Sequence, residues 1–292
     1  SLTFVSTAGV TIEEDNGTAL TGSSSGTTVA LSAVGAITDA DNNTSTKITA
    51  TTLSLTASGL GASGLGELDV SVDDLATNTS AANGAQFLTE VNGLTALDLN
   101  AGIGIVTLDL VAGSVEDADG AVDAVASTLS ISAVSGIGAV NAIQTTVTTL
   151  NATVSSAGSI RITETNSVTL TNVTTTDGSI TIHAGGTVVA TNVTNATDAA
   201  NVISITTTAG NINVNLISAP GDTITLNSAG TIQESGSDGT VDVLASVLNF
   251  TAVSGIGSLG TLEIDGDSTA PGGLSAAVTG AGSISLADAN SL

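Results

Sequence analysis

Two pairs of aspartates are the strongest candidates for chemistry in this sequence of 292 residues. Asp39 and Asp41 lie in the run TDADNN, and Asp117 and Asp119 lie in EDADG. Two carboxylates separated by one residue and followed by Asn or Gly are typical of the first half of a calcium-binding loop. The glutamate that would complete such a loop is missing. These four aspartates are therefore calcium candidates, and solvated carboxylates that accept hydrogen bonds from their own turn are the alternative.

The residue types needed for other catalytic chemistry are scarce. His183 is the single histidine, and it alternates with Ile182, so we expect it to point outward from a strand. A zinc site would need Cys or a second His, and no G-x-S-x-G run accompanies the histidine. A β-helical carbohydrate-active enzyme is disfavoured, because the chain has three Phe, no Trp or Tyr, and only Lys47 and Arg161 as cations. The sequence predicts a protein that is not an enzyme and has no cofactor, with weak Ca²⁺ binding as the open question.

The charge balance excludes two classes of partner. There are 27 acidic residues against two cations, a formal net charge of −25. Nucleic acids and anionic lipid surfaces are bound through clusters of Lys and Arg, which this chain lacks. No apolar run approaches the roughly 18 residues of a membrane-spanning helix, so we expect no membrane insertion. Only 10% of residues are charged and 41% are hydrophobic, so the chain can form a core.

A short internal repeat must position these residues. The run GSIRITETNSVTLTNVTTTD, from Gly158, aligns without gaps with GSITIHAGGTVVATNVTNAT, from Gly178. Short alternating strands separated by Gly, Asn and Asp turns cannot bury their apolar face alone, but stacked copies form parallel sheets. The sequence therefore predicts an all-β, parallel β-solenoid with about 20–23 residues per coil. The expected buried column is Ile160, Ile180, Ile203 and Ile224.

Two finer expectations follow from the same alignment. Asn172, Asn192 and Asn215 fall at the same position of successive coils, which predicts an asparagine ladder at a corner, without a ligand. The density of Thr and other β-branched residues opposes helix formation. Only the segment 75–92 could form a short helix.

A longer repeat spans several coils. The run ASTLSISAVSGIG at 126–138 is similar to ASVLNFTAVSGIG at 245–257 and, more loosely, to ATTLSLTASGLG at 50–61. Each run follows an acidic turn. These runs mark modules of several coils, duplicated and diverged.

The ends of the chain match each other in phase. Residues 274–292 align with 150–168, and Ser1-Leu2 continue the phase of Ser291-Leu292. We therefore expect residues 1–292 to form a single continuous solenoid segment that belongs to a longer tandem array. The expected partners are neighbouring repeats or further copies of the chain, joined end to end.

Three runs carry a family resemblance: AGSIRITE, DGSITIHAGGTVVATNVT and ITLNSAGTIQE. They resemble the repeats of filamentous-haemagglutinin-like and related giant bacterial surface proteins, most clearly over 150–260 and less so over 60–110. The resemblance implies a right-handed parallel β-helix and an extracellular location on the bacterial cell surface. It also implies an adhesin or surface fibre that contacts a host or partner-cell surface, without identifying a binding residue.

The leading hypothesis is thus a non-enzymatic structural or adhesive segment, a stalk or fibre, of a large surface protein. A self-assembling extracellular filament or sheath subunit shares the fold and is the first alternative. A calcium-stiffened array of tandem β-sandwich domains is the second. That alternative needs domain-length periods with antiparallel hairpins, and the 20-residue phase opposes it.

Overall fold

The computed structural model describes residues 1–197, 199–236, 238–266 and 273–289. Within these ranges the regular structure is β-strand, apart from a single 3-10 turn at Gly64–Gly66. The pairings are parallel, and the strands stack as a β-solenoid of about 12 turns, which confirms the predicted fold. No helix in the described ranges has the length and apolar character to cross a membrane.

The chain divides into two compact units, Ser1–Val147 and Thr148–Leu292. The boundary falls within one strand, β16 (Ile143–Ala157). The earlier strands of the first unit are β1 (Val10–Glu14), β2 (Thr18–Leu20), β3 (Ser24–Ser25), β4 (Thr28–Ala33), β5 (Ile37–Asp39), β6 (Ile48–Thr49), β7 (Thr52–Thr56), β8 (Leu68–Ser71), β9 (Asp74–Asn78), β10 (Gln86–Glu90), β11 (Ala96–Asn100), β12 (Ile105–Leu110), β13 (Ser114–Val115), β14 (Ala124–Ala133) and β15 (Gly136–Ile137).

The second unit contains the end of β16 and fourteen further strands among the described residues. They are β17 (Ile160–Glu164), β18 (Val168–Asp177), β19 (Ile180–Ala184), β20 (Val188–Ala190), β21 (Val193–Asn195), β22 (Val202–Thr207), β23 (Ile212–Val214), β24 (Ile217–Ser228), β25 (Thr231–Glu234), β26 (Val243–Ala252), β27 (Gly255–Ile256), β28 (Leu262–Gly266), β29 (Gly273–Val278) and β30 (Leu286–Asp288).

The predicted core column of the second unit is confirmed. Ile160 pairs with Ile180, Ile180 with Ile203, and Ile203 with Ile224, and all four side chains are fully buried. Because side chains alternate along a strand, the residue between two such positions points outward. We call one turn of the solenoid a rung. Each rung therefore adds inward aliphatic side chains to columns that continue from strand to strand.

The first unit follows the same rule with one polar exception. Val29, Leu53, Leu75 and Leu97 form a buried column through successive parallel pairings. A neighbouring column is interrupted by Glu90, which pairs with Val70 on one side and Leu110 on the other and is fully buried. A carboxyl group thus takes a core position.

Turn contacts between rungs are close. A Cβ added to Gly185 would overlap the backbone carbonyl of Thr165 on the preceding rung. The position therefore requires glycine because of space, since the next coil lies directly against it.

Two expectations from the sequence need correction. The segment 75–92 is not helical, since it contains most of β9, a turn, and β10, because the inward Leu75 and Leu88 continue the core columns. The spacing between rungs is also less regular than the first copies suggest. It is 20 residues from Ile160 to Ile180 and 26 from Leu248 to Leu274.

Candidate functional site in the acidic corner turns

The first acidic turn holds Asp39 and Asp41 in the predicted spacing. Asp39 ends β5 and is buried, and its carboxylate accepts hydrogen bonds from the backbone N–H of Asp41 (2.8 Å) and of Asn43 (3.1 Å). An aspartate that accepts from the backbone two residues later stabilises a turn. The D-x-D spacing therefore has a structural reason of its own.

The same two carboxylates hold the ammonium group of a buried lysine. Lys47 Nζ lies 3.2 Å from Asp39 Oδ1 and 3.0 Å from Asp41 Oδ2, and it donates to Asn43 Oδ1 at 3.1 Å. Lys47 is fully buried. Burial alone would lower its pKa, but the hydrogen bonds to Asp41 and Asp39 raise the pKa above its ordinary value. At this corner the chain supplies its own cation, and Ca²⁺ would have to displace it.

Asp41 is the more exposed member of the pair. The backbone N–H of Gly22 donates to Asp41 Oδ2 at 3.0 Å. This bond and the ammonium of Lys47 lower the pKa of Asp41 below its ordinary value. The first corner is thus a charged, ion-paired cluster at neutral pH.

The second acidic turn repeats the geometry without a lysine. The carboxylate of Asp117 accepts from the backbone N–H of Asp119 (2.8 Å) and of Gly120 (2.7 Å), and it is buried, whereas Asp119 is exposed. A third carboxylate, that of Asp123, approaches the two predicted ones, and oxygens of all three lie within 4.8 Å of one another. Asp123, which is 2% exposed, was missed by the motif because it lies four residues beyond the D-x-D pair.

A third corner contains a cluster that the sequence motifs did not reveal. Glu234, Asp242 and Glu263 bring carboxylate oxygens within 4.8 Å of one another. Asp242 is buried and accepts from the backbone N–H of Glu263 at 3.0 Å. Glu234 accepts from the backbone N–H of Asp238 at 2.9 Å. The cluster is assembled from two rungs of the second unit.

The three corners place different side chains at one equivalent position. Lys47, Asp123 and Asp242 each precede the strand that begins a module, and each backbone N–H donates to the carbonyl one rung further on. The acceptors are the carbonyls of Asp69 (2.8 Å), Gln144 (2.8 Å) and Glu263 (2.9 Å) respectively. Extending the module alignment upstream by a few residues would have revealed this equivalence.

The two corners that have an aspartate in place of Lys47 differ from the first corner in their electrostatics. Burial raises the pKa of Asp123 to about 7, with the nearby carboxylates of Asp117 and Asp119 adding to the effect against a backbone hydrogen bond from Gln144. Burial likewise raises the pKa of Asp242 to about 7. Two carboxylates that face each other without a cation cannot both ionise cheaply.

Asp242 owes part of its shift to its own neighbours. The carboxylates of Glu234 and Glu263 add to the effect of burial, and the backbone hydrogen bond from Glu263 opposes it. Each of the two lysine-free corners can therefore hold a proton near neutral pH. A bound cation would neutralise the same carboxylate charge.

Glu90 is a further buried acid outside the corners. Its carboxylate accepts from the backbone N–H of Val72 (3.1 Å) and of Asn92 (3.0 Å) at the end of β10. Burial raises its pKa to about 7, and the backbone hydrogen bonds oppose this rise. It stabilises the turn between two rungs.

The remaining predictions concern single residues. His183 is exposed on the outward face of β19, as expected. The asparagine ladder is confirmed for one step, since Asn192 Nδ2 donates to Asn172 Oδ1 at 2.7 Å. It does not extend to Asn215, whose amide donates instead to the backbone carbonyl of Thr191 at 3.2 Å. The matching phase of Ser291-Leu292 lies outside the described residues.

Comparison with known proteins returned no match to a protein family, to a curated protein or to a solved structure. The parallel strand pairings confirm the fold that the resemblance implies at the level of a parallel β-solenoid, and no family is assigned.

Proposed function

We propose that the chain is a non-enzymatic structural or adhesive segment, a stalk or fibre, of a large filamentous-haemagglutinin-like protein on the bacterial cell surface. The observation that carries this proposal is the in-register stacking of rungs, with columns of Ile, Leu and Val inside. In such a fold each coil contacts its neighbours, so the length of the segment is set by the number of coils. This property suits a spacer better than a catalytic scaffold.

The outward columns support the same reading. Thr181, Ser204 and Thr225 follow one another across β19, β22 and β24 on the outside of the second unit. Small polar side chains of this kind keep a long surface hydrated without aromatic platforms or cationic patches. A partner on a host or neighbouring cell would meet this polar, acidic surface, which carries the formal net charge of −25.

Labelling of intact cells tests the proposed location. Antibodies raised against the purified chain should label the surface of unpermeabilised cells of the source organism, and protease added outside should remove the label. Antibodies against a cytoplasmic protein serve as the control and should label permeabilised cells only. Labelling of this chain that requires permeabilisation would overturn the proposal.

A self-assembling filament or sheath is the second candidate, favoured by the first and last long strands of the described chain. Val10 and Ile12 of β1 point inward yet are only half-buried, and so are Leu274 and Val278 of β29. Within the described residues β1 pairs with β4 alone, and β29 pairs with β26 alone. These edges can accept a further coil, either from a neighbouring repeat or from another copy.

A further inference from the structure

A groove lies on the outside of the first unit, over strands β8, β10 and β12. Residues 43–46 and 64–67 form one side of it, and the outward residues of the strands form its floor. It encloses about 500 Å³. This volume lies in the range of small-molecule sites.

Apolar side chains line part of the groove although they face solvent. Leu65 and Val111 are 66% and 63% exposed, and Val91 lies beside them on the rung before Val111. A cluster of exposed aliphatic side chains on a polar protein gains free energy when a ligand covers it. The groove therefore favours a ligand with an aliphatic part.

The floor contains a buried carboxylate with no donor from another residue. Asp69 of β8 is 4% exposed and lines the groove. Among the described residues, none other than Asp69 itself donates a hydrogen bond to its carboxylate. Burial raises the pKa of Asp69, and the charges of Asp39 and Glu67 add to this effect, whereas Lys47 opposes it. This carboxylate is nearly buried, lines the groove and receives no hydrogen bond from another described residue, so a hydrogen-bond donor bound in the groove would stabilise it.

Further carboxylates continue the floor in a row. Asp69 pairs with Thr89, and Thr89 pairs with Asp109 one rung on. At the spacing of adjacent strands, Asp69 and Asp109 are about 10 Å apart. Glu67 lies beside them and accepts a hydrogen bond from Thr89 Oγ1 at 2.8 Å.

The lining of the groove is acidic. Its lining carries the carboxylates of Glu67, Asp69 and Asp109 and no cation. The nearby ammonium of Lys47 is already paired with Asp39 and Asp41, and it is not part of the lining. A ligand that satisfies the groove must therefore be positive, donate hydrogen bonds and carry aliphatic segments. A bare metal ion would leave the apolar wall uncovered.

We propose that this groove binds a linear aliphatic polyamine, a molecule with two or more ammonium groups joined by short methylene chains. One ammonium group contacts Asp69, another contacts Asp109, and the methylene groups between them cover Leu65, Val91 and Val111. Lys47 shows the same chemistry within the chain, since an ammonium group on a methylene stem is held there by two aspartates. This inference is independent of the proposed surface role.

Calorimetric titration of the full chain with spermidine at low ionic strength tests the proposal. We expect binding to one site, weakened roughly tenfold or more in Asp69→Asn and in Asp109→Asn, because each loses a charge-assisted hydrogen bond. Leu65→Ser should weaken binding severalfold through loss of apolar contact. Asp15→Asn is the matched control, because Asp15 is an exposed turn carboxylate outside the groove, and its affinity should be unchanged.

Three outcomes would overturn the proposal. If all four variants bind spermidine with the affinity of the unmodified chain, the binding is diffuse counter-ion binding to an acidic protein. Binding of Mg²⁺ or Ca²⁺ that matches spermidine at equal ionic strength, with the same variant pattern, would show a metal site. Tighter binding of a lysine-rich peptide with that pattern would show a protein-docking surface. Circular dichroism of each variant checks folding, and if Asp69→Asn is unfolded, Asp109→Asn and Leu65→Ser decide the result.

Discussion

Asp123 and Asp242 occupy equivalent corners of two duplicated modules, and each accepts a hydrogen bond from the backbone N–H of a residue on the next rung. The donors are Gln144 (2.6 Å) and Glu263 (3.0 Å). Both aspartates are 2% exposed, and each has carboxylate oxygens of two other acidic residues within 4.8 Å. In the first module Lys47 takes this position, so one corner design exists in a cationic and an acidic form.

The stability of the chain should fall as the pH rises towards and through 7. The folded-state pKa values of Glu90, Asp123 and Asp242 are raised to about 7 from ordinary values of 4.5, 3.8 and 3.8. Because the folded state binds these protons more tightly, their stabilisation is complete below about pH 4 and is lost as the pH rises through about 7. We expect a loss of a few kcal/mol in total, measured as the urea midpoint between pH 4.5 and 8.

Isosteric variants separate this effect from the general repulsion of an acidic chain. Asp123→Asn and Asp242→Asn should flatten the pH dependence and raise stability at pH 8, whereas Asp15→Asn should alter the profile little. A wild-type profile that is flat from pH 4.5 to 8, or that is unchanged in the Asn variants, would contradict the raised pKa values.

Removal of the buried lysine should destabilise the first unit strongly. Lys47→Met leaves the buried carboxylate of Asp39 without its counter-charge, and breaking a buried ion pair from one side costs about 3–5 kcal/mol. The double variant Lys47→Met/Asp39→Asn should recover a large part of this loss. Chemical denaturation of both variants at pH 7 provides the measurement, and a double variant no more stable than Lys47→Met would rule out this interpretation.

A charge in the core column of the second unit should be poorly tolerated. Ile180→Asp places a carboxylate between Ile160 and Ile203, where burial without a partner costs several kcal/mol. The matched control Ile180→Val removes one methylene group and should cost about 1 kcal/mol. Thermal melting compares the two, and similar melting temperatures would show that the register is not as described.

Calcium binding at Asp117 and Asp119 stays a prediction with a direct test. Screening by any salt should stabilise a chain of net charge −25, so Ca²⁺ must be compared with NaCl at matched ionic strength. Coordination by Asp117, Asp119 and Asp123 predicts a higher melting temperature in Ca²⁺, abolished in Asp123→Asn. Equal melting temperatures would leave the carboxylates as solvated or protonated turn residues.

Copies of the chain should associate end to end more readily as salt increases. The half-buried inward residues of β1 and β29 offer strand edges, and screening weakens the repulsion between acidic copies. Light scattering should show growing, open-ended species at high salt, and Ile12→Lys at the first edge should prevent them. A monomer at every salt and protein concentration would count against the filament alternative.

Much of the fold could be predicted because one physical signal repeats. The alternation of apolar and polar residues sets which side chains point inward, and the 20-residue phase aligns Ile160 with Ile180. The corner chemistry was harder to predict, since contacts there depend on loop lengths that differ between coils. Asp39 meets Lys47 eight positions away, whereas Asp123 meets Asp117 after six, so a fixed motif finds only part of each cluster.

The burial of single acidic residues was also not predicted from the sequence. Glu90 continues an aliphatic column, and backbone N–H donors, those of Val72 and Asn92 among them, stabilise its carboxylate there. Asp69 points outward by alternation yet is nearly buried, because it lies at the floor of a groove that residues 43–46 and 64–67 help to form. Neither environment follows from periodicity, because both depend on turn residues, near and distant in sequence, whose positions the strand pattern does not specify.

The variable length of the corners sets where this sequence can change. Paired positions on successive rungs are 19 residues apart from Val10 to Val29 and 24 residues apart from Val29 to Leu53, yet the inward column stays aligned across both steps. Extra residues therefore leave the solenoid at a corner without shifting the strands that follow. Unequal recombination between similar modules could add or remove whole turns, and an epitope tag or a foreign loop could be grafted at a corner in the same way. The molecule can thus vary in reach and in surface loops while its interior stays the same.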